Sequence, residues 1–176
     1  ALPIYFLNTD TILNEFISTY ALSKHQFAEW GKSFANASSI KFINIRLEHI
    51  FGPGDDESKF TTHVIRSCLN NVPEIKLTAG EQKRDFVHVD DVVRAYSCLL
   101  DKTSELGLGH HEFSIGSGQA VSVREFVNKV HRLTNSRSKL LFGALPYRKN
   151  EVMQSQADIS RLEKSGWRCQ MSLEQG

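Results

Sequence analysis

The sequence contains no long apolar run. No stretch of its 176 residues approaches the roughly 20 apolar residues that a membrane-spanning helix needs. The first residues, Ala1 to Asn8, have neither a basic region nor a long apolar one, so they do not look like a signal peptide. We therefore expect no membrane partner and a cytoplasmic location.

The sequence also has no excess charge, no paired cysteines and no metal-binding spacing. Lys and Arg number 21 against 20 Asp and Glu, so no polybasic nucleic-acid surface is expected. Cys68, Cys98 and Cys169 form no C-x-x-C pair and are odd in number, which favours reduced thiols. The seven histidines never stand four residues apart, so no metal site is predicted.

Apolar runs alternate with amphipathic patterns, which is typical of an α/β fold. The length is that of one domain, and we expect 1–176 to form a single α/β unit. The patterns predict helices near 18–33, 60–70, 92–100, 122–133 and 159–165, and strands near 41–47, 75–78, 85–88, 111–115 and 139–142. Ser122 and Glu125 match a capping box, and Asp90 or Asp91 is expected to begin the third helix.

The sequence lacks a glycine-rich turn of the kind that holds a dinucleotide pyrophosphate between a strand and a helix. No G-x-G-x-x-G or G-x-x-G-x-x-G occurs. Gly107-Leu108-Gly109 precedes a predicted strand, and Gly116-Ser117-Gly118 has Val121 where a third glycine would be required. Both segments are predicted to be turns.

Tyr20 and Lys24 stand four residues apart at the start of the first predicted helix, so their side chains share one face. A tyrosine hydroxyl ordinarily titrates near about 10. A neighbouring ammonium favours the phenolate, which suits the hydroxyl to acid–base chemistry. The alternative is an exposed lysine beside a half-buried tyrosine.

Four motifs follow one another along nearly the whole chain. They are Tyr20-Ala-Leu-Ser-Lys24 (Y-x-x-x-K), Ile45 to Gly54 (L-R-x-x-N-x-Y-G-P-G), Arg84 to Val92 (R-D-F-x-x-V-x-D), and Pro146 to Glu151 (P-x-R-x-G-D) followed by Ala157-Asp158 and Gly166-Trp167. Together they resemble the extended short-chain dehydrogenase/reductase family, the NAD-dependent nucleotide-sugar epimerases and dehydratases. The resemblance implies the C-terminal part of a Rossmann-like fold: a substrate-binding lobe with the last strands and helices of the parallel sheet.

The resemblance implies a role for each matching residue. Tyr20 would exchange a proton with a sugar hydroxyl or ketone, and Lys24 would hold the nicotinamide ribose. Arg84 and Arg148 would bind the substrate diphosphate, for which guanidinium groups are well suited. Glu151 would accept a hydrogen bond from the nucleotide ribose.

Some positions depart from the family pattern or leave an alternative open. His49 stands where the family has an asparagine that contacts substrate or cofactor, so it is a further candidate binding residue. Arg84 could instead pair with Asp85 or Asp90, and Arg148 could be a solvated loop cation. The family's catalytic Ser or Thr lies on the strand before the tyrosine helix, further upstream than this chain clearly reaches, so neither of the nearby threonines is assigned.

The resemblance further implies NAD or NADP as cofactor of the parent family and a nucleotide-diphosphate sugar as substrate. Because the family's glycine-rich half has no counterpart in these residues, we expect that the chain alone neither binds the cofactor nor catalyses hydride transfer. Epimerase, dehydratase and 4-ketoreductase chemistry all remain open. A second hypothesis is a non-catalytic binding or self-associating module, a possible homo-oligomer that buries an exposed sheet edge.

Overall fold

The computed structural model describes residues 4–13 and 18–176. Residues 1–3 belong to the segment that was predicted not to be a signal peptide, and they lie outside the described residues. The elements in chain order are β1 (Tyr5–Thr11), α1 (Thr19–Ala37), β2 (Lys41–Leu47), β3 (His49–Phe51), α2 (Phe60–Leu69), β4 (Glu74–Leu77), β5 (Lys83–His88), α3 (Val89–Asp101), β6 (Gly109–Ile115), β7 (Ala120–Ser122), α4 (Val123–Leu133), β8 (Lys139–Phe142) and α5 (Ser160–Lys164). The predicted helices and strands are confirmed, whereas β1, β3 and β7 are additional.

The main sheet is parallel throughout, with strand order β1-β2-β6. One face is apolar: Ile43 and Ile45 of β2 are fully buried in a core cluster with side chains of α3 and α5. The opposite face meets α1, where the ring of Phe42 lies directly against Gly31. The sheet is therefore covered by helices on both sides, which confirms the α/β class.

Helix α1 packs through its small residues and not through its aromatic stripe. Ala21, Ala28 and Ala35 are buried, whereas Phe27 is 58%, Trp30 79% and Phe34 61% exposed. Alanine and glycine let the helix backbone approach the sheet closely, because no long side chain intervenes. Trp30 and Phe34 therefore lie on the surface, and Phe27 meets the core at the Phe42 ring, with centroids 6.2 Å apart.

Two smaller sheets form the rest of the core. Strand β5 pairs in parallel with β3 and antiparallel with β7, and β4 pairs in parallel with β8. A second apolar cluster joins these strands to α2 and α4. An isolated bridge between Lys83 and Gln154 brings the segment after residue 150 alongside β5.

The expectation that Asp90 or Asp91 caps α3 is wrong. The cap is His88, whose Nδ1 accepts a hydrogen bond from the Asp90 amide at 3.3 Å. Asp91 is fully buried and accepts from the amides of Gln170 and Met171, each at 2.9 Å. Its carboxylate therefore anchors the C-terminal segment to α3. The capping box of Ser122 and Glu125 on α4 is confirmed.

Within residues 4–13 and 18–176, no helix combines the length and the apolar character that crossing a membrane would require.

Candidate active site

Tyr20 and Lys24 lie in the first turns of α1, the helix that follows β1. Ser18 caps the helix by accepting from the Ala21 amide at 3.1 Å. The Lys24 ammonium lies 5.9 Å from the centroid of the Tyr20 ring and donates to the Thr9 carbonyl at 3.0 Å. Tyr20 is 58% exposed, so its side chain is accessible to a ligand.

Strand β1, which the sequence did not predict, precedes α1 and carries the two threonines that were left unassigned. Thr9 and Thr11 both belong to β1. The Thr9 hydroxyl is hydrogen-bonded to the Tyr96 hydroxyl at 2.6 Å, whereas the Thr11 hydroxyl accepts from the Leu13 amide at 3.2 Å. The Thr9 hydroxyl is thus engaged with α3, on the apolar side of the sheet.

Arg84 and Glu151 form a largely buried ion pair. Arg84 Nη2 lies 2.5 Å from Glu151 Oε1, and the two side chains are only 11% and 17% exposed. The alternative pairing of Arg84 with Asp85 or Asp90 is therefore wrong. Burial lowers the pKa of Arg84. The negative charges of Glu151 and Glu48 oppose this lowering, and the positive charge of Arg148 lowers the pKa further. Arg148 itself is exposed. The structure therefore pairs Arg84 with Glu151, whose amide donates to the Arg148 carbonyl at 3.1 Å.

Glu48 was not identified from the sequence, although its side chain contacts His49 and its charge acts on Arg84. Its side chain is 2% exposed. Both of its oxygens lie within 2.7–2.8 Å of the Ser155 hydroxyl, and Oε2 lies 3.4 Å from Nδ1 of His49. An ionisable residue directly after a buried strand was the available signal. Its partner Ser155 is 107 residues away and could not be identified by spacing.

Asp85 is a second residue that sequence reasoning missed. It is fully buried and accepts from the amides of Ser117, Gly118 and Ala157 at 2.7, 3.0 and 3.1 Å. The Ser117 hydroxyl also donates to it. Asp85 therefore ties β5, which carries Arg84, to the Gly116–Gly118 turn and to the segment after Glu151.

The candidate residues form two groups. Tyr20 and Lys24 meet β1. In the second group Arg84 pairs with Glu151 and His49 contacts Glu48, and Glu48 and Arg148 are close enough to Arg84 for their charges to act on it. No hydrogen bond or ion pair joins the two groups among the residues that the structure describes. A cleft of about 510 Å³ is lined by Glu48 and Ser155 and, from the loop after β1, by Ile12, but not by the four candidate residues of the second group.

The residues present fit only one end of a dinucleotide. Tyr20 and Lys24 match the positions that the resemblance assigns to the nicotinamide end. A pyrophosphate needs free amides in a glycine-rich turn, but the amides of Ser117 and Gly118 are already bound to the Asp85 carboxylate. The Gly116–Gly118 turn therefore does not offer these two amides to a pyrophosphate.

Comparisons with known proteins agree on one family. The model of the NAD dependent epimerase/dehydratase family matches residues 7–116. CDP-abequose synthase of Salmonella typhimurium is 38% identical over 180 residues, covering 97% of this chain and 60% of that protein. A putative UDP-glucose 4-epimerase of Methanocaldococcus jannaschii is 28% identical over 163 residues, covering 91% of this chain and 51% of that protein.

The fold also matches solved structures. The crystal structure of a UDP-glucose 4-epimerase with UDP-glucose from Thermotoga maritima aligns with a TM-score of 0.83 at 25% identity. The alignment covers 98% of this chain and 60% of that chain. The 176 residues thus span about 60% of the length of the first of these relatives and of this structure.

Proposed function

The chain belongs to the NAD-dependent epimerase/dehydratase family, and from this premise we propose that it carries the acid–base pair and the sugar-nucleotide site of a nucleotide-sugar-modifying oxidoreductase. Tyr20 is the proposed acid–base group and Lys24 orients the nicotinamide ribose. Arg84 and Arg148 bind the diphosphate, Glu151 accepts from the nucleotide ribose, and His49 contacts the substrate.

The grouping of Arg84, Arg148 and Glu151 carries this proposal. A guanidinium that is only 11% exposed is costly to hold charged without an anion. Glu151 supplies that anion, and the charge of the exposed Arg148 also acts on Arg84. A diphosphate carries the charge and the acceptor oxygens to bind both arginines at once.

Calorimetric titration with nucleotide sugars tests the diphosphate site. Arg148→Ala is the decisive variant because Arg148 is exposed, so its loss leaves the core intact. We expect the Kd to rise about tenfold, the equivalent of one charge-assisted hydrogen bond. Arg66→Ala, which removes an arginine that pairs with Glu57 on the surface, is the matched control. Equal affinities of Arg148→Ala and the unmodified chain would contradict the site.

The nucleotide is proposed to be CDP and the chemistry 4-ketoreduction. Support comes from the 38% identity to a protein named CDP-abequose synthase. Titrations with CDP-glucose and UDP-glucose under one set of conditions compare the two bases. Tighter binding of the uridine ligand would count against the CDP assignment and leave the diphosphate site intact.

We further propose that these 176 residues alone do not transfer hydride, because they lack a complete dinucleotide site. The purified chain is expected to leave NADH and NADPH absorbance unchanged in the presence of a 4-keto nucleotide sugar. Measurable turnover would overturn this point.

A second candidate function is self-association without catalysis. Phe27, Trp30 and Phe34 form an exposed stripe on α1, and Phe6 on the neighbouring β1 is 52% exposed. Exposed apolar patches of this kind are commonly covered by a partner, and a second copy of the chain is the proposed occupant. Sedimentation analysis should show a dimer that Trp30→Ser disrupts and that Leu108→Ser, at another exposed apolar residue, does not. A monomer at all concentrations would exclude this candidate.

A further inference from the structure

His49 and Glu48 make a contact whose chemistry fixes what the imidazole can bind. Nδ1 of His49 lies 3.4 Å from Oε2 of Glu48, and the Glu48 side chain is 2% exposed. The Ser155 hydroxyl has a single proton to donate to the Glu48 carboxylate. A buried carboxylate needs further donors, and a proton on Nδ1 of His49 would supply one at this position.

The orientation of the ring is fixed from a second side. The His49 ring packs edge-on against Phe86, with centroids 6.0 Å apart and planes at 67°. His49 and Phe86 are register partners on β3 and β5. Arg84 precedes Phe86 by two residues on β5, so its side chain lies on the same face of the sheet. The imidazole and the Arg84 guanidinium therefore line the same side of the proposed site.

The other ring nitrogen remains available to a ligand. The His49 side chain is 33% exposed, and its Nε2 makes no hydrogen bond to residues in the ranges 4–13 and 18–176. A neutral imidazole with its proton on Nδ1 can only accept at Nε2. An asparagine at this position could both accept and donate.

From these contacts we propose that Glu48 is a positioning residue that holds His49 in the Nδ1-protonated form, so that Nε2 accepts a hydrogen bond from a hydroxyl group of the bound sugar nucleotide. This rests on the proposed function and adds a specificity to it. His49 accepts a hydrogen bond from a donor group of the ligand, while Arg84 and Arg148 bind its phosphate oxygens.

The tautomer is measured directly by two-bond ¹H–¹⁵N correlation spectra of the whole chain, with His49 assigned from the signal that His49→Asn removes. In spectra recorded at about pH 8, the nitrogen that carries the proton should be Nδ1. Glu48→Gln should raise the population of the Nε2-protonated form, whereas Glu57→Gln on the surface should leave the spectrum of His49 unchanged. An Nε2-protonated ring in the unmodified chain overturns the proposal without any variant.

Titration with CDP-glucose and UDP-glucose tests the ligand-reading part. We expect the Nε2 resonance to move on binding and His49→Phe to raise the Kd about tenfold. His49→Asn should restore affinity, because its amide oxygen accepts a hydrogen bond. If His49→Asn binds as weakly as His49→Phe, the acceptor role is wrong.

The two proposals fail in different ways. Binding that depends on Arg148 but not on His49 overturns this inference and leaves the diphosphate site standing. An Nδ1-protonated His49 in a chain that binds no nucleotide sugar overturns both the proposed function and the ligand-reading role, leaving only the Glu48 contact.

Discussion

Arg84 and Glu151 are 67 residues apart in sequence and meet through Nη2 and Oε1 in a pair from which water is largely excluded. The pair joins β5 to the segment after Leu145, the two parts of the chain that supply the proposed diphosphate site. Its loss should therefore be visible in stability as well as in binding.

Glu151→Gln should lower the free energy of unfolding by about 2–3 kcal/mol, because it leaves a poorly hydrated guanidinium without its anion. Urea denaturation monitored by circular dichroism measures the change. Glu57→Gln breaks the pair between Glu57 and Arg66, in which the Arg66 side chain is 56% exposed and the Glu57 side chain 71% exposed. This control should change stability by less than about 1 kcal/mol. Equal effects of the two variants would show that burial of the Arg84 pair has no energetic consequence.

Gly116→Ala should destabilise the chain by about 1–3 kcal/mol because the site has no room for a methyl group. A Cβ at this position would lie 2.5 Å from Asp85 Oδ2 and 2.7 Å from Ala157 Cβ. Thermal unfolding of this variant should be compared with that of Gly107→Ala, where no atom lies within 4 Å of the added carbon. If the two melting temperatures agree, Asp85 and Ala157 can move to make room for a methyl group at a small energetic cost.

The contacts of Asp91 predict a loss of stability in acid. Burial raises its pKa, but hydrogen bonds from the Gln170 and Met171 amides, together with those from Arg94 and Cys169, outweigh burial and leave the pKa below its ordinary 3.8. A carboxyl whose pKa is depressed on folding stabilises the fold above its unfolded value, and that stabilisation is lost as the pH falls through the folded value.

Unfolding free energies measured from pH 6 downward should therefore decline below about pH 4. Asp91→Asn should be less stable at neutral pH and show a shallower decline. Asp101→Asn serves as the control, since it replaces an exposed aspartate at the end of α3. A decline of the same steepness in Asp91→Asn and the unmodified chain would assign the acid sensitivity to other groups.

Cys169 should react slowly with alkylating reagents. Burial, followed by the charge of Asp91 and its hydrogen bond, raises the pKa of this thiol to about 12 from an ordinary 9.0. Since the thiolate is the nucleophile, the native chain should modify Cys169 about 1000-fold more slowly than the unfolded chain near pH 8. Peptide mass spectrometry after timed iodoacetamide treatment gives the rate, and Asp91→Asn should accelerate it. Rapid modification in the native chain would contradict the arrangement.

Features that depend on near neighbours in the sequence were predictable. The Ser122–Glu125 capping box is set by residues three apart, and the helical position of Tyr20 relative to Lys24 is set by residues four apart. Strands β3 and β7 were missed because three residues are too few to show a period. Strand β1 was missed because its polar residues, such as Asn8 and Asp10, are buried and therefore break the usual alternation.

Features that depend on distant partners were not predictable. Asp91 was expected to act on its own helix, but its partners Gln170 and Met171 lie 79 and 80 residues away. Asp85 and Glu48 likewise bind residues from other segments. An isolated acidic residue in the sequence gives no indication of such partners, since folding alone brings them within hydrogen-bond distance.

The close packing of α1 against the main sheet also fixes the distance between the sheet and the first turns of the helix. Gly31 leaves no clearance, since a methyl group there would fall 2.0 Å from the Phe42 ring. A larger side chain at this position would push the helix away from the sheet, and the distance between Lys24 and the Thr9 carbonyl would then increase. The small residues of α1 thus fix how far the Lys24 side chain lies from β1.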